Sequence, residues 1–65
     1  MKKFKLNSLY QYTDNIPLKT TPQIKQNDIV KLLKYDLEWV YFLHKEKIVK
    51  THMLNFLGGF FVKYK

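Results

Sequence analysis

The middle of the chain carries a period-two pattern. Ile29-Val30-Lys31-Leu32-Leu33-Lys34-Tyr35 is rich in β-branched residues and alternates in part, and Glu38-Trp39-Val40-Tyr41-Phe42-Leu43-His44 is a run of strand-forming side chains. Asp36-Leu37 between them supplies a turn, so the spacing predicts two antiparallel strands. A second turn at Lys45-Glu46-Lys47 leads into Ile48-Val49-Lys50-Thr51, then a mixed segment over residues 52–57, then Gly58-Gly59 and a last strand Phe60-Phe61-Val62-Lys63-Tyr64-Lys65. Lys3-Phe4-Lys5-Leu6 alternates as well and offers one more strand. The competing reading is a helix capped by Asp28 in a mixed α/β chain. Trp, Val, Tyr and Phe just downstream are poor helix formers, and two-residue spacing fits them better.

Residues 12–27 break the pattern. They are rich in Thr, Asn, Gln and Lys, contain Pro17 and Pro22, and leave Ile16, Leu18 and Ile24 as isolated apolar points. No helical stripe passes through two prolines, so a long irregular loop is predicted, of a length that is usually functional or internally packed. Five or six short strands, one long early loop and tight later turns describe a small, curved, all-β barrel. Val30, Leu32, Val40 and Phe42 should then point inward, with Val49 and Leu57 helping to fill the interior. Trp39, Tyr41 and Leu43 would occupy the other side of the pleat, which a thin domain cannot also bury.

Composition narrows this picture. The chain has 65 residues, room for a single domain spanning residues 1–65, and no cysteine, so neither a disulfide framework nor a thiolate site is available. Its 12 basic residues are all lysine and face 5 acidic ones, a net charge of +7. Arginine and alanine are absent while Lys, Asn, Ile, Phe and Tyr abound, the usage of an AT-rich coding sequence. Aromatic residues at 17% speak for a folded chain. Met1-Lys2-Lys3 is not followed by an apolar stretch of signal-peptide type, and the longest apolar run, residues 39–43, is far too short to span a bilayer. A cytoplasmic protein without membrane association is expected.

The order of these pieces resembles the Src homology 3 (SH3) domain and its bacterial SH3-like relatives. Ser8-Leu9-Tyr10-Gln11-Tyr12 resembles the family's Ala-Leu-Tyr-Asp-Tyr opening, and the long loop follows where the family has its RT loop. Gln26-Asn27-Asp28-Ile29-Val30-Lys31-Leu32-Leu33 resembles the Gly-Asp-x-Ile-x-Val-Leu strand, and Glu38-Trp39-Val40-Tyr41 the Asp/Glu-Trp-Trp strand. Lys50-Thr51-His52-Met53-Leu54-Asn55-Phe56-Leu57 resembles the Val-Pro-x-Asn-Tyr-Val segment with its short 3₁₀ turn. The family's proline before Asn-Tyr is missing, Asn27 replaces the glycine before Asp28, and residues 58–65 would form an extra C-terminal strand. The resemblance implies an aromatic groove lined by Tyr10, Tyr12, Trp39 and Phe56. Only Asp14 and Glu38 are placed to hold a basic proline-rich ligand, so the binding face carries over and the ligand does not.

Candidate chemistry is sparse. Asp14, Asp28, Asp36, Glu38, Glu46, His44 and His52 form no recognisable nucleophile–base–acid motif, so no catalytic residue, metal or cofactor is expected. His44 and His52 flank the second turn and could meet across a hairpin as half a metal site; solvated roles are the simpler reading. Gly58-Gly59 reads as a turn, since no P-loop lysine follows. The lysines cluster at Lys2, Lys3 and Lys5, at Lys45, Lys47 and Lys50, and at Lys63 and Lys65. The leading expectation is a non-enzymatic module that anchors through Tyr10, Tyr12, Trp39, Tyr41 and Phe56, with Lys45, Lys47, Lys50 and Lys63 as an electrostatic rim. Its partner would be a larger acidic protein that it inhibits or modulates, and the residue usage suggests a phage or mobile element of a low-GC bacterium. The alternative is a nucleic-acid-binding barrel with lysines on phosphates and aromatics on bases. Self-association through the C-terminal strand is a third expectation.

Overall fold

A computed structural model describes residues 4–19 and 21–64; Lys2 and Lys3 of the N-terminal cluster, Thr20 and Lys65 lie outside the described residues. The chain forms strands β1 (Leu9–Tyr12), β2 (Ile29–Tyr35), β3 (Trp39–His44) and β4 (Lys47–His52), a helical turn α1 (Met53–Asn55), a wider π turn (Phe56–Phe60) and strand β5 (Phe61–Lys63). All pairings are antiparallel, in the order β4-β3-β2-β1-β5. This is the expected small all-β fold, and it is consistent with an SH3-like sheet.

Four details differ from expectation. The sheet does not close into a barrel, because β5 has only three residues and they pair with β1 alone. The segment Phe4 to Leu6 is not a strand among the described residues; Phe4 instead packs its ring on Phe56 and Tyr35. The expected 3₁₀ turn is α1 running into the π turn, which uses Gly58 and Gly59. The C-terminal strand expected over residues 58–65 is present but short, confined to Phe61–Lys63, with Gly58, Gly59 and Phe60 belonging to the π turn.

The inner face follows the pleat. Val30, Leu32, Val40 and Phe42 are fully buried, joined by Val49, Phe56 and Phe61, whereas Leu57 is exposed on the π turn and does not help to fill the interior. Phe42 stacks on Phe61 at 4.9 Å between centroids, and Tyr12 meets Phe61 at 5.1 Å. The partial alternation of β2 has a structural cause. Leu32 faces Phe42 and Lys34 faces Tyr41, so Leu33 is the extra residue of a bulge. The bulge resets the pleat, sending Lys34 outward and Tyr35 inward.

The long loop is internally packed. Leu18 and Ile24 are buried in the core, the Tyr12 hydroxyl donates to the Ile16 carbonyl at 2.7 Å, and the Thr21 hydroxyl donates to the Lys50 carbonyl at 2.6 Å. That last bond fastens the loop to β4, an outer strand of the sheet. The β2–β3 turn is held by Asp36, whose Oδ1 accepts from the Glu38 and Trp39 amides. These two bonds place its carboxyl pKa below the usual range.

Candidate functional site

The outer face of β2, β3 and β4 is a grid set by register. Trp39, Tyr41 and Leu43 project from β3, half-buried; across β4 they meet His52, Lys50 and Ile48, and across β2 Tyr41 meets Lys34 and Leu43 meets Lys31. Leu9 of β1 lies beyond Lys31. The Lys50 ammonium sits 4.4 Å from the Trp39 ring centroid and the Lys34 ammonium 4.7 Å from that of Tyr41. At such distances a cation is attracted by the ring quadrupole, worth about 0.5–1 kcal/mol at an exposed site. Beside these pairs Ile48, Leu43 and Leu9 lie in one cross-strand row, with Lys31 between the two leucines.

No strand contains an acidic residue. Asp14 and Asp28 belong to the long loop, Asp36 and Glu38 to the β2–β3 turn and Glu46 to the hairpin tip. Among the described residues the one ion pair joins His44 to Asp28, and no lysine has a carboxylate within ion-pairing distance. The outer face therefore presents uncompensated positive charge over apolar rings.

The residues singled out in the sequence separate into three groups. Trp39 and Tyr41 face outward as expected, and Lys50 joins them. Tyr12 and Phe56 do not share one exposed groove with Trp39: Tyr12 is fully buried and Phe56 nearly so, Tyr12 lying opposite Phe61 of β5, and the two border separate depressions. Burial, with the Asp14 charge adding to it, pushes the Tyr12 phenol pKa up. Tyr10 is on the core side of the sheet, opposite Val30 and 5.1 Å from the Phe56 ring, with its pKa raised by burial and then by Tyr35. The implied four-residue aromatic groove is thus divided between the two sides of the sheet.

The lysine rim is divided too. Lys63 lines a depression with Lys5, Tyr10 and Phe56, whereas Lys45 and Lys47 stand at the β3–β4 tip. His44 and His52 do not approach one another: β3–β4 register puts them at opposite ends of the hairpin. His52 accepts from the Leu54 amide through Nδ1, capping α1, while its ring edge meets Trp39 at 5.5 Å. Gly59 adopts a φ of +91°, as a glycine turn requires.

Some contributors were not singled out. Lys31 and Lys34 reach the same face because of the bulge, a three-residue spacing that strict alternation hides. His44 is buried and its Nε2 lies 2.8 Å from Asp28 Oδ2. The signal for its burial was present, since His44 continues the inward positions of Val40 and Phe42. The Asp28 carboxyl pKa is lowered, first by the Lys25 amide and then by the His44 side chain and the Lys45 charge.

The outward-facing pairs place a lysine ammonium over each of the Trp39 and Tyr41 rings. No group of three or more His, Cys, Asp or Glu among the described residues could hold a metal ion, and none of the helices there is long and apolar enough to cross a membrane. No family model, curated protein or solved structure matches the chain.

Proposed function

We propose that this protein is a non-enzymatic, SH3-like binding module that docks an acidic protein surface onto the outer face of β2–β4. The observation carrying this reading is the seating of Lys50 on Trp39 and Lys34 on Tyr41, on strands without a single carboxylate. Aromatic anchors supply desolvation energy, and unpaired lysines beside them steer and orient an anionic partner. The apolar row of Ile48, Leu43 and Leu9 favours a protein over a phosphate backbone, because aliphatic side chains gain nothing against phosphates. Occlusion of a larger host protein by a phage or mobile-element product extends the same reading, on the strength of the AT-rich residue usage.

The test is capture from lysate of a low-GC bacterium with a photo-crosslinking residue in place of Tyr41. An acidic protein should crosslink at that position and be lost with Trp39→Ala. The reading fails if a folded Trp39→Ala variant crosslinks the same partner equally well. One observation favours nucleic acid as the second reading: Trp39 and Tyr41 are two residues apart on one strand, about 7 Å, an interval over which successive bases can stack. Titration with random single-stranded DNA and RNA over a salt series separates the two, since phosphate binding declines steeply with salt.

A further inference from the structure

The β3–β4 hairpin tip and the long loop enclose a second basic site, away from the Trp39 and Tyr41 pairs. A depression of about 390 Å³ there is lined by Lys25, Lys45 and Lys47, with Gln23, His44, Ile48 and Val49 completing the wall. Three lysines thus border one concavity, beside the buried His44.

The Asp28 carboxylate feels the Lys45 charge and offsets part, not all, of the charge of the three lysines. Asp28 Oδ2 already accepts from the Lys25 amide at 3.0 Å and meets His44 Nε2 at 2.8 Å, so it is committed to holding the loop against β3. No lysine of the site is in an ion pair among the described residues. The depression in which Lys63 stands has two lysines, and the one beside Tyr12 has Lys19 with Asp14 as a counter-charge.

The backbone supplies an independent observation. His44 pairs with Lys47, which leaves a two-residue loop of Lys45 and Glu46, with φ of 50° and 67°. Such a loop is most comfortable with Asn-Gly, and both side chains there hold the left-handed backbone region that disfavours a Cβ. The chain nonetheless keeps a lysine at a strained position that lines the depression. Local strain of this kind persists where surrounding structure or a ligand justifies it.

We infer that this depression binds the phosphate group of a phosphate monoester, or free phosphate, with Lys25, Lys45 and Lys47 as charge-assisted donors and the Gln23 amide as a further donor. A dianion with three terminal oxygens matches several separate ammonium groups better than a planar carboxylate, whose natural partner is a bidentate guanidinium. The site does not depend on the outer-face reading, and Lys34 and Lys50 serve as internal controls for it.

The experiment is a backbone-amide NMR titration of the full chain at fixed pH and fixed ionic strength. Inorganic phosphate, adenosine monophosphate and adenosine are the three probes. Phosphate and the monophosphate should both shift the amides of Lys25, Lys45 and Glu46 saturably, while adenosine leaves them in place. Tighter binding of the monophosphate than of phosphate assigns a phosphorylated small molecule as the source; equal binding assigns the free anion. Lys25→Gln and Lys47→Gln should each weaken binding by about fivefold, with Lys63→Gln, the same change of charge, leaving it unaltered. Each variant is checked for retained fold by its amide dispersion. The inference is overturned if shifts spread equally to Lys34, Lys50 and Lys63, if they do not saturate, or if Lys63→Gln weakens binding as much as Lys47→Gln.

Discussion

Removing the Asp28 carboxylate should destabilise the protein far beyond what its place at the edge of the loop, 21% exposed, suggests. Asp28 Oδ2 accepts the Lys25 amide at 3.0 Å and lies 2.8 Å from Nε2 of His44, a side chain only 5% exposed as a residue. In Asp28→Ala the Lys25 amide can turn to water, at a cost of about 0.5 kcal/mol, but the buried imidazole nitrogen loses its partner, at about 1.5–2.5 kcal/mol. The sum is about 2–3 kcal/mol. A chain of this length has a total stability of about 3–10 kcal/mol, so Tm should fall by about 10–20 °C. Urea denaturation followed by far-UV circular dichroism, with calorimetry for Tm, measures both. A double-mutant cycle with His44→Leu should return a coupling of about 1–2 kcal/mol. Acidity gives a second readout. The folded-state pKa of Asp28 is lowered, so its contribution is complete above the unfolded carboxylate value of about 3.9 and fades as pH falls through the folded value. The gap between wild type and Asp28→Ala should therefore narrow only in acid. A stability change below about 0.5 kcal/mol, or a coupling of zero, refutes the reasoning.

Gly59→Ala should cost about 1–2 kcal/mol purely through its backbone, because φ is +91° and an added Cβ meets no atom within 4 Å; urea denaturation checks it. Tyr12→Phe removes the hydroxyl donated to Ile16 and should cost about 1 kcal/mol, with faster amide exchange in the long loop as its signature. Replacing Lys45-Glu46 by Asn-Gly should stabilise the hairpin by about 1 kcal/mol in thermal melts, since both positions have positive φ. The same replacement should blunt the phosphate response, so stability and binding move in opposite directions.

Strand positions were legible because β3 combines a strong period with residues that suit strands, and its inward set Val40 and Phe42 is buried as the pleat requires. The β2 bulge was not legible: Lys31-Leu32-Leu33-Lys34 is compatible with a slip on either side of Leu33, and only pairing with β3 decides which leucine enters the core. Closure was overestimated because residues 60–65 read as one long strand, whereas the π turn claims Phe60 and β5 ends at Lys63, with only the Tyr64 amide still reaching the Leu9 carbonyl. At the site, Trp39 and Tyr41 were legible from parity alone. Tyr12 and Phe56 were misplaced because a position matched to a groove says nothing of which neighbours cover it; here Phe61 and the Phe4 ring do. The His44–Asp28 pair spans a loop and two strands, and no local pattern encodes such a contact.

On the proposed reading the lysines of the outer face have two physical roles, shielding the rings and selecting the partner. The inner face is filled by aliphatic residues of β2 to β4, by Leu18 and Ile24 of the loop, and by Tyr12, Phe42, Phe56 and Phe61. Trp39 and Tyr41 are therefore left outside the core, and bare rings on an open sheet would invite association. Lys50 and Lys34 set their ammonium groups over those rings, which shields them without a carboxylate in ion-pairing distance. An acidic side chain arriving at this face can pair with the ammonium while the lysine stays over its ring, so the shield need not be dismantled for the partner to bind. A basic or neutral partner meets the same lysines as an obstacle, having to displace them from the rings with nothing in exchange. On that reading the arrangement that shields the surplus aromatics also selects the sign of the surface that covers them.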